Sequence, residues 1–295
     1  MRRYELRHLQ AFLALADTLH FRRAAERLHV SQPALSRTIR QLESALGLRL
    51  VARDSRNVTL TAPGDELRNL GRKVLEQLDE SERMARMAEH GQVGRLVIGY
   101  IDFAFGGHLP AALQRYRQAN PYVQIELVRV GTDQQRDSLV SGEGIDVGFV
   151  LGRFSAPDIE CCVSTRLRSV AVLPSEHRLA GRRAINLREL LAEPMVIGSA
   201  HEWAAFRRIL VDNALRLGLR PNIVQEAPSS EVIFALVAAG IGVSVYAVSE
   251  TPLVRSGVTV ARLGGMRGDI DVYAAWNSRR LSPAARRFVE EVIRQ

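Results

Sequence analysis

The sequence predicts an α/β protein in three parts: a small, mainly helical head, one long helix, and a two-lobed α/β remainder. Three observations lead there. Residues 1–60 hold three segments of helical apolar spacing followed by a hairpin pattern. Residues 61–90 carry a single apolar stripe among charges. From Arg95 onward, short apolar runs alternate with helical segments. A chain of 295 residues suits about two domains plus a connector.

Composition narrows the classes. Hydrophobic residues make up 46% and charged residues 24%, which excludes a low-complexity chain. No run of 18 apolar residues occurs, and Met1–His8 leads into an amphipathic segment rather than a signal-peptide core, so a cytoplasmic protein with no membrane contact is expected. Two adjacent cysteines, Cys161 and Cys162, fit a reducing compartment. The net charge is +8, and residues 1–58 hold 11 Arg against 5 acids, so most of the excess sits in the first fifth of the chain. That distribution suits a terminal module that meets a polyanion. Lys73 is the only lysine among 40 basic residues, so clustering, rather than any single Arg, carries this inference.

In the head, Leu6, Leu9, Phe12, Leu13 and Ala16 share one helical face and predict a helix over 5–17. A second helix is expected at Phe21–Leu28, with the small pair Ala24–Ala25 allowing close approach of another helix. Ser31 is a suitable N-cap, Pro33 fits the first turn, and Gly47 suits the end of a third helix. Its inner face is Leu35, Ile39, Leu42 and Leu46; its outer face is Gln32, Ser36, Arg37, Arg40 and Gln41. Two helices joined by a short turn, the second basic on its outer face, form a helix-turn-helix. Arg37 and Arg40 can divide guanine and phosphate contacts, with Gln32, Pro33 and Ser36 at the helix start. Leu50-Val51 and Val58/Leu60 then predict a small hairpin carrying Arg53 and Arg56 at its tip, placed for DNA backbone or minor groove.

Several stretches here resemble the LysR-type transcriptional regulators: Leu9–Phe12, Phe21–Leu28, Ser31–Ser36, Gln41–Glu43, Leu46-Gly47, Leu50–Arg53 and Leu60–Gly64. The resemblance implies a winged helix-turn-helix that reads double-stranded promoter DNA, a homodimer assembling to a homotetramer, and RNA polymerase as a further partner. Two positions depart from the pattern. His20 stands where the family has a capping Ser, and Arg22 where Thr is common, an Arg that could add a phosphate contact.

Thr61 can cap the long helix, whose first turn carries Asp65 and Glu66. Its stripe includes Leu67, Leu70, Val74, Leu78 and Met84. A helix over 62–89 is roughly 42 Å long, and with no evident surface of its own domain to cover the stripe, a partner helix is expected. The resemblance implies an antiparallel pair. These limits give a DNA-binding domain at 1–60, a dimerisation helix at 61–90 and an effector domain at 91–295.

In the remainder, the order of strand 96–101, helix 110–119, strand 123–130, helix 134–141 and strand 145–151 predicts a mainly parallel sheet. A second set follows: strands at 169–173, 195–197, 223–226, 242–245 and 258–262, and helices at 203–217 and 231–239. Strand 270–276 and a final helix capped by Ser282-Pro283 return the chain to the first lobe, giving lobe I at about 91–163 and 266–295 and lobe II at 164–265. The resemblance implies a type 2 periplasmic-binding-protein-like effector domain with crossover strands at 146–152 and 271–277. Open α/β sheets place ligands at strand-to-helix junctions. Here these carry Asp102, Phe103, Gly131, Thr132, Ser199, Ala200, His201, Ser229 and Ser230, with Phe206 on the helix that follows; their free N–H groups favour an anion. Thr132 with Gln135 also fits a simple capping box. Arg129 and Arg153 could add charge, although an exposed turn is the plainer expectation for each.

Gly131-Thr132, Gly144–Phe149 and Leu236–Gly242 most resemble the branch of the family that responds to muconate-type dicarboxylates in aromatic-compound degradation. Phe103 replaces the Ser of that pattern and Asp102 precedes it, which points to a small organic effector, carboxylate or aromatic, with at most one carboxylate. The adjacent cysteines can close only a strained ring. The seven histidines lack zinc spacing, Gly240-Ile241-Gly242 follows a helix rather than a strand, and no nucleophile-base set emerges. No metal, cofactor or catalytic residue is therefore expected, and the reading is of a regulator rather than an enzyme.

Overall fold

The computed structural model describes residues 4–53, 58–249 and 255–293. Two compact units form, Met1–Arg86 and Met87–Gln295. The first contains α1 (Leu6–Thr18), α2 (Phe21–Arg27), α3 (Gln32–Leu46), the antiparallel strands β1 (Val51–Arg53) and β2 (Val58–Leu60), and most of α4 (Ala62–Glu89).

Local chemistry explains each boundary. Leu9, Phe12, Leu13 and Ala16 bury the expected face of α1, whereas Leu6, at its first residue, stays exposed. The His20 ring takes over the capping role of a hydroxyl, its Nδ1 accepting the Arg23 N–H at 3.4 Å. Ser31 Oγ accepts the Ala34 N–H at 3.3 Å, and Gly47, at φ +69°, ends α3 in a conformation that a side chain would strain. Leu35, Ile39 and Leu42 are buried as their spacing requires. Glu43 adds a tie that periodicity does not reveal. Its carboxylate accepts the N–H groups of Leu50 (2.8 Å) and Val51 (3.1 Å), fastening α3 to the first wing strand.

Thr61 caps α4 as expected: its Oγ1 accepts the Gly64 N–H at 3.2 Å and its hydroxyl donates to the Arg49 carbonyl at 2.6 Å. A Cβ on Gly64 would overlap the Leu50 carbonyl, so α4 starts flush against the wing. The stripe on α4 divides in two, which corrects the expectation that it lacks a surface of its own domain. Leu67 and Leu75 pack on the head's core and Gly71 lies against Leu9, whereas Leu70, Val74 and Leu78 stay 49%, 45% and 36% exposed.

The second unit runs β3 (Val93–Tyr100), a 3-10 turn (Asp102–Gly106), α5 (Leu109–Ala119), β4 (Tyr122–Arg129), α6 (Thr132–Ser141), β5 (Val147–Leu151), β6 (Ile159–Thr165), β7 (Arg168–Pro174), β8 (Ala184–Asn186), α7 (Leu187–Leu190), β9 (Pro194–Gly198), α8 (Ala204–Arg216), β10 (Asn222–Ala227), α9 (Ser230–Ala238), β11 (Ser244–Val248), β12 (Val258–Gly264), β13 (Val272–Asn277) and α10 (Pro283–Phe288). One sheet has the order β4-β3-β5-β13-β6, and another β11-β7-β12-β8; β9 and β10 pair alongside, bridged to Val243 through Met195.

The parallel arrangement expected from β-α-β-α-β holds for β4-β3-β5, but β13 runs antiparallel to both β5 and β6. Strand β6 is an edge strand with Glu160 and Val163 exposed, so it lacks the apolar run that marks a buried strand. The strands expected to cross at 146–152 and 271–277 both stay inside the first sheet, as β5 and β13. The chain instead leaves that sheet at 166–167 and returns through 265–271 into β13. Asp271 ties the two crossings together, its carboxylate accepting the Leu167 N–H at 2.8 Å.

Candidate nucleic-acid interface and candidate effector cleft

On the head, α3 is anchored by its buried face, which leaves Gln32, Pro33, Arg37, Arg40 and Gln41 exposed and Ser36 half-buried. Charge pairing separates the arginines. Arg7, Arg27 and Arg72 are ion-paired, and Arg22 reaches along its own helix to Glu26 at 3.1 Å instead of standing free for phosphate. Arg37 and Arg40 make no ion pair among the described residues; Arg40 Nε donates to the Ser36 carbonyl at 3.3 Å. Both guanidinium groups thus keep donors for an anionic partner. Arg56 lies outside the described residues, as does the side chain of Arg53.

In the second unit, the ends of β3, β4 and β5 face α8 and α9 across a cleft. Its polar centre is the carboxylate of Asp102, whose side chain is 10% exposed. Arg129, at the end of β4, donates Nε to Asp102 at 2.6 Å, and its guanidinium also bonds the Pro228 carbonyl. From the first turn of α9, Ser230 gives Asp102 its N–H at 2.8 Å and its hydroxyl at 2.7 Å, while Tyr246 Oη lies 3.0 Å from that hydroxyl. The Asp102 hydrogen bond holds the Arg129 proton above the ordinary arginine range, and burial pushes the Tyr246 phenol up to about 12.

Phe103 lies beside this centre, buried among Trp203, Phe206 and Tyr246 at ring-centroid distances of 5.0, 5.1 and 4.9 Å. These separations suit favourable ring pairs. The Trp203 indole N–H donates to Pro228 at 3.2 Å. A void of about 20 Å³ remains between Phe103, Thr132, Leu151 and Phe206, room for roughly one water. On the other side of Asp102 a chamber of about 560 Å³ opens, bordered by Phe105, Ser229, Phe234, Tyr246, Ser249 and Arg255. That volume suits a small organic molecule. Outer contacts close the cleft further: Arg208 of α8 makes two bonds to Asp133 of α6, 2.8 and 3.0 Å, and His201 Nε2 lies 2.9 Å from Gln134.

Among the anticipated cleft residues, Asp102, Phe103, Thr132 and Phe206 meet at the narrow void, and Ser229 and Ser230 border the chamber. The others differ from expectation. The N–H groups expected to be free at Ser199 and Ala200 are spent on the Ala227 carbonyl and the Glu226 carboxylate, because this loop is stapled to β10. Ser199 Oγ accepts the Glu202 N–H at 3.4 Å, and His201 faces Gln134 at the rim. Gly131 packs under the 201–202 carbonyls. Thr132 does not form a capping box with Gln135. Gly131 is the N-cap, Gln134 reaches back to its N–H at 3.3 Å, and Thr132 Oγ1 accepts the Leu151 N–H at 3.0 Å. Arg129 is half-buried rather than on an exposed turn. Trp203 and Tyr246 join the cleft without a place among the expected residues; the signal for Tyr246 is the one aromatic ring inside the run Val243–Val248.

Cys161 and Cys162 lie side by side on β6, and neither forms a disulfide among the described residues. Among the described residues no group of metal-ligating side chains converges, and no helix is long and apolar enough to cross a membrane.

Residues 6–65 match the model of the lysR-family bacterial regulatory helix-turn-helix protein, and residues 89–295 match the LysR substrate binding domain. The transcriptional regulator AlsR of Bacillus subtilis is 32% identical over 97% of this chain and 94% of its own. The Hca operon transcriptional activator HcaR of Escherichia coli is 33% identical over 97% and 96%. Full-length CbnR in complex with its target DNA superposes with a TM-score of 0.80 at 27% identity, covering 99% of both chains. Two matched modules that together span nearly the whole chain, on a helix-turn-helix head and a closed α/β cleft, establish that the chain belongs to the LysR family of DNA-binding transcriptional regulators with a substrate-binding effector domain.

Proposed function

We propose that the head, residues 1–60, reads promoter DNA through Gln32, Pro33, Ser36, Arg37 and Arg40, with Arg53 and Arg56 of the wing on backbone or minor groove. The observation that carries this reading is the pair of exposed arginines, Arg37 and Arg40, that make no ion pair among the described residues, on a helix whose opposite face is the head's core. Residues 91–295 take a small organic effector with at most one carboxylate, and its binding changes cleft closure. Coupling of a few kcal/mol suffices to respace the heads on DNA. Leu70, Val74 and Leu78 of the 61–90 helix form the handle of a homodimer that assembles to a homotetramer, with Leu67 spent on the head and Met84 extending the face. RNA polymerase is the further partner, and the protein works in the cytoplasm. Placement in the muconate-responsive, aromatic-degradation branch rests on the likeness of Gly131-Thr132, Gly144–Phe149 and Leu236–Gly242 to that branch.

Fluorescence anisotropy on promoter fragments over a salt series tests the reading. Phosphate contacts release counterions, so affinity falls steeply with salt. Arg37→Ala relaxes preference at one base position, whereas Arg53→Ala weakens all sequences alike and lowers the salt slope by about 1. Equal losses on every sequence for both variants would refute this division of roles, and salt-independent binding would refute the interface.

A further inference from the structure

The donors around Asp102 form a complete carboxylate seat: a backbone N–H at the start of the nine-residue α9, the hydroxyl of Ser230 (5% exposed), and the Arg129 guanidinium, with the Tyr246 hydroxyl holding Ser230 in place. Ser230 and Tyr246 belong to elements of the second lobe, whereas Asp102 arrives from the end of β3 in the first. The next residue, Phe103, reaches across in the same way and sets its ring on Trp203, Phe206 and Tyr246. One carboxylate and one phenyl ring, a single peptide unit apart, are therefore seated together against the second lobe, with Arg129 of the first lobe completing the carboxylate's seat. The void left beside the ring holds roughly one water.

We propose that Asp102 and Phe103 are a tethered occupant: they fill, from within the chain, the seat that a free aromatic carboxylate would take, and so they determine specificity by excluding such acids from it. A ligand anion gains little here, because the N–H, the hydroxyl and the guanidinium already face an internal carboxylate, and a second one would be repelled. The effector instead enters the neighbouring chamber of about 560 Å³ and is recognised there by something other than a carboxylate on α9. This inference rests on the cleft being the effector site only for its regulatory consequence. The seat itself is a matter of binding.

The test uses the full-length chain, with benzoate as probe and benzamide as its uncharged counterpart, titrated calorimetrically into the wild type and D102A/F103A. The expected result is that the double variant binds benzoate at least tenfold more tightly than the wild type does, and at least tenfold more tightly than it binds benzamide. A folded double variant without that preference overturns the proposal, as does a wild type that binds benzoate equally well. Should the double variant fail to fold, D102A alone decides. Acetate should raise its melting temperature by several degrees while leaving the wild type and D102A/S230A unchanged, and an equal response in all three overturns the proposal. If benzoate binds the double variant but leaves its DNA footprint unchanged, the seat is supported and the effector reading fails on its own account.

Discussion

Glu43 offers the sharpest test of how the head is built. Its carboxylate receives two N–H groups, from Leu50 at 2.8 Å and Val51 at 3.1 Å, on residues that are 0% and 5% exposed. Glu43→Ala leaves both donors buried without an acceptor. An unsatisfied buried group costs about 1–3 kcal/mol, so the pair costs about 2–4 kcal/mol when water reaches one of them partly. For a unit of this size, about 4–8 °C of melting temperature is lost per kcal/mol, which gives a fall of roughly 10 °C or more. Glu43→Gln keeps an acceptor oxygen but loses the charge, and should cost about 1 kcal/mol. The chain provides its own internal control. Both tryptophans, Trp203 and Trp276, lie in the second unit, so tryptophan fluorescence follows that unit, whereas far-ultraviolet circular dichroism also follows the helices of the head. Glu43→Ala should shift an early dichroism transition and leave the fluorescence transition in place. A head transition that does not move, or a shift of both transitions by the same amount, would refute the role given to these two bonds.

Gly64→Ala should lower the head's melting temperature through a clash with the Leu50 carbonyl, at a cost of about 1–3 kcal/mol; an unchanged melt would show that α4 can lift off the wing freely. Leu78→Glu places a charge on the exposed apolar face of α4 and should weaken self-association at least tenfold in sedimentation velocity, or by about 1.4 kcal/mol. An unchanged mass distribution at low micromolar concentration would remove Leu70, Val74 and Leu78 as the handle. Alkali should destabilise the second unit. Burial favours the neutral Tyr246 phenol, with a folded pKa of about 12 against about 10 unfolded, so its contribution is complete below pH 10 and drains away between pH 10 and 12. The gap between those folded and unfolded values corresponds to about 2–3 kcal/mol. Urea midpoints by circular dichroism should fall across that window in the wild type and less so in Tyr246→Phe; parallel curves would count against a buried, neutral Tyr246.

The head is legible because its signals are local. Ser31, Gly47 and Thr61 act within a turn of their own positions, and the stripe through Leu35, Ile39 and Leu42 needs only helical spacing. What the spacing hides are partners distant in sequence: the division of the α4 stripe, where Leu67 turns inward to the head's core, and the bonds from Glu43 to the wing. The cleft is less legible for the same reason. Asp102 and Phe103 stand out as unusual residues at a strand end, but an Asp that pairs with Arg129 and with Ser230, 128 residues later, cannot be told from an open one by sequence pattern. The loop at Ser199–His201 resembles a set of free donors because the Glu226 carboxylate and the Ala227 carbonyl that satisfy it come from another strand. Strand β6 escapes a reading by pattern because its partial exposure mimics a loop.

The place of β13 between β5 and β6 has a consequence for synthesis. Among the described residues strand β6 pairs only with β13, which leaves the ribosome more than a hundred residues after β5, once the intervening lobe has been made. Lobe II can therefore condense first, while β5 and β6 wait with unsatisfied edges. A nascent chain stalled before residue 272 should be protease-sensitive in 147–165 and protected in 168–248 and 258–264, and release of the last two dozen residues should lock the earlier half into place.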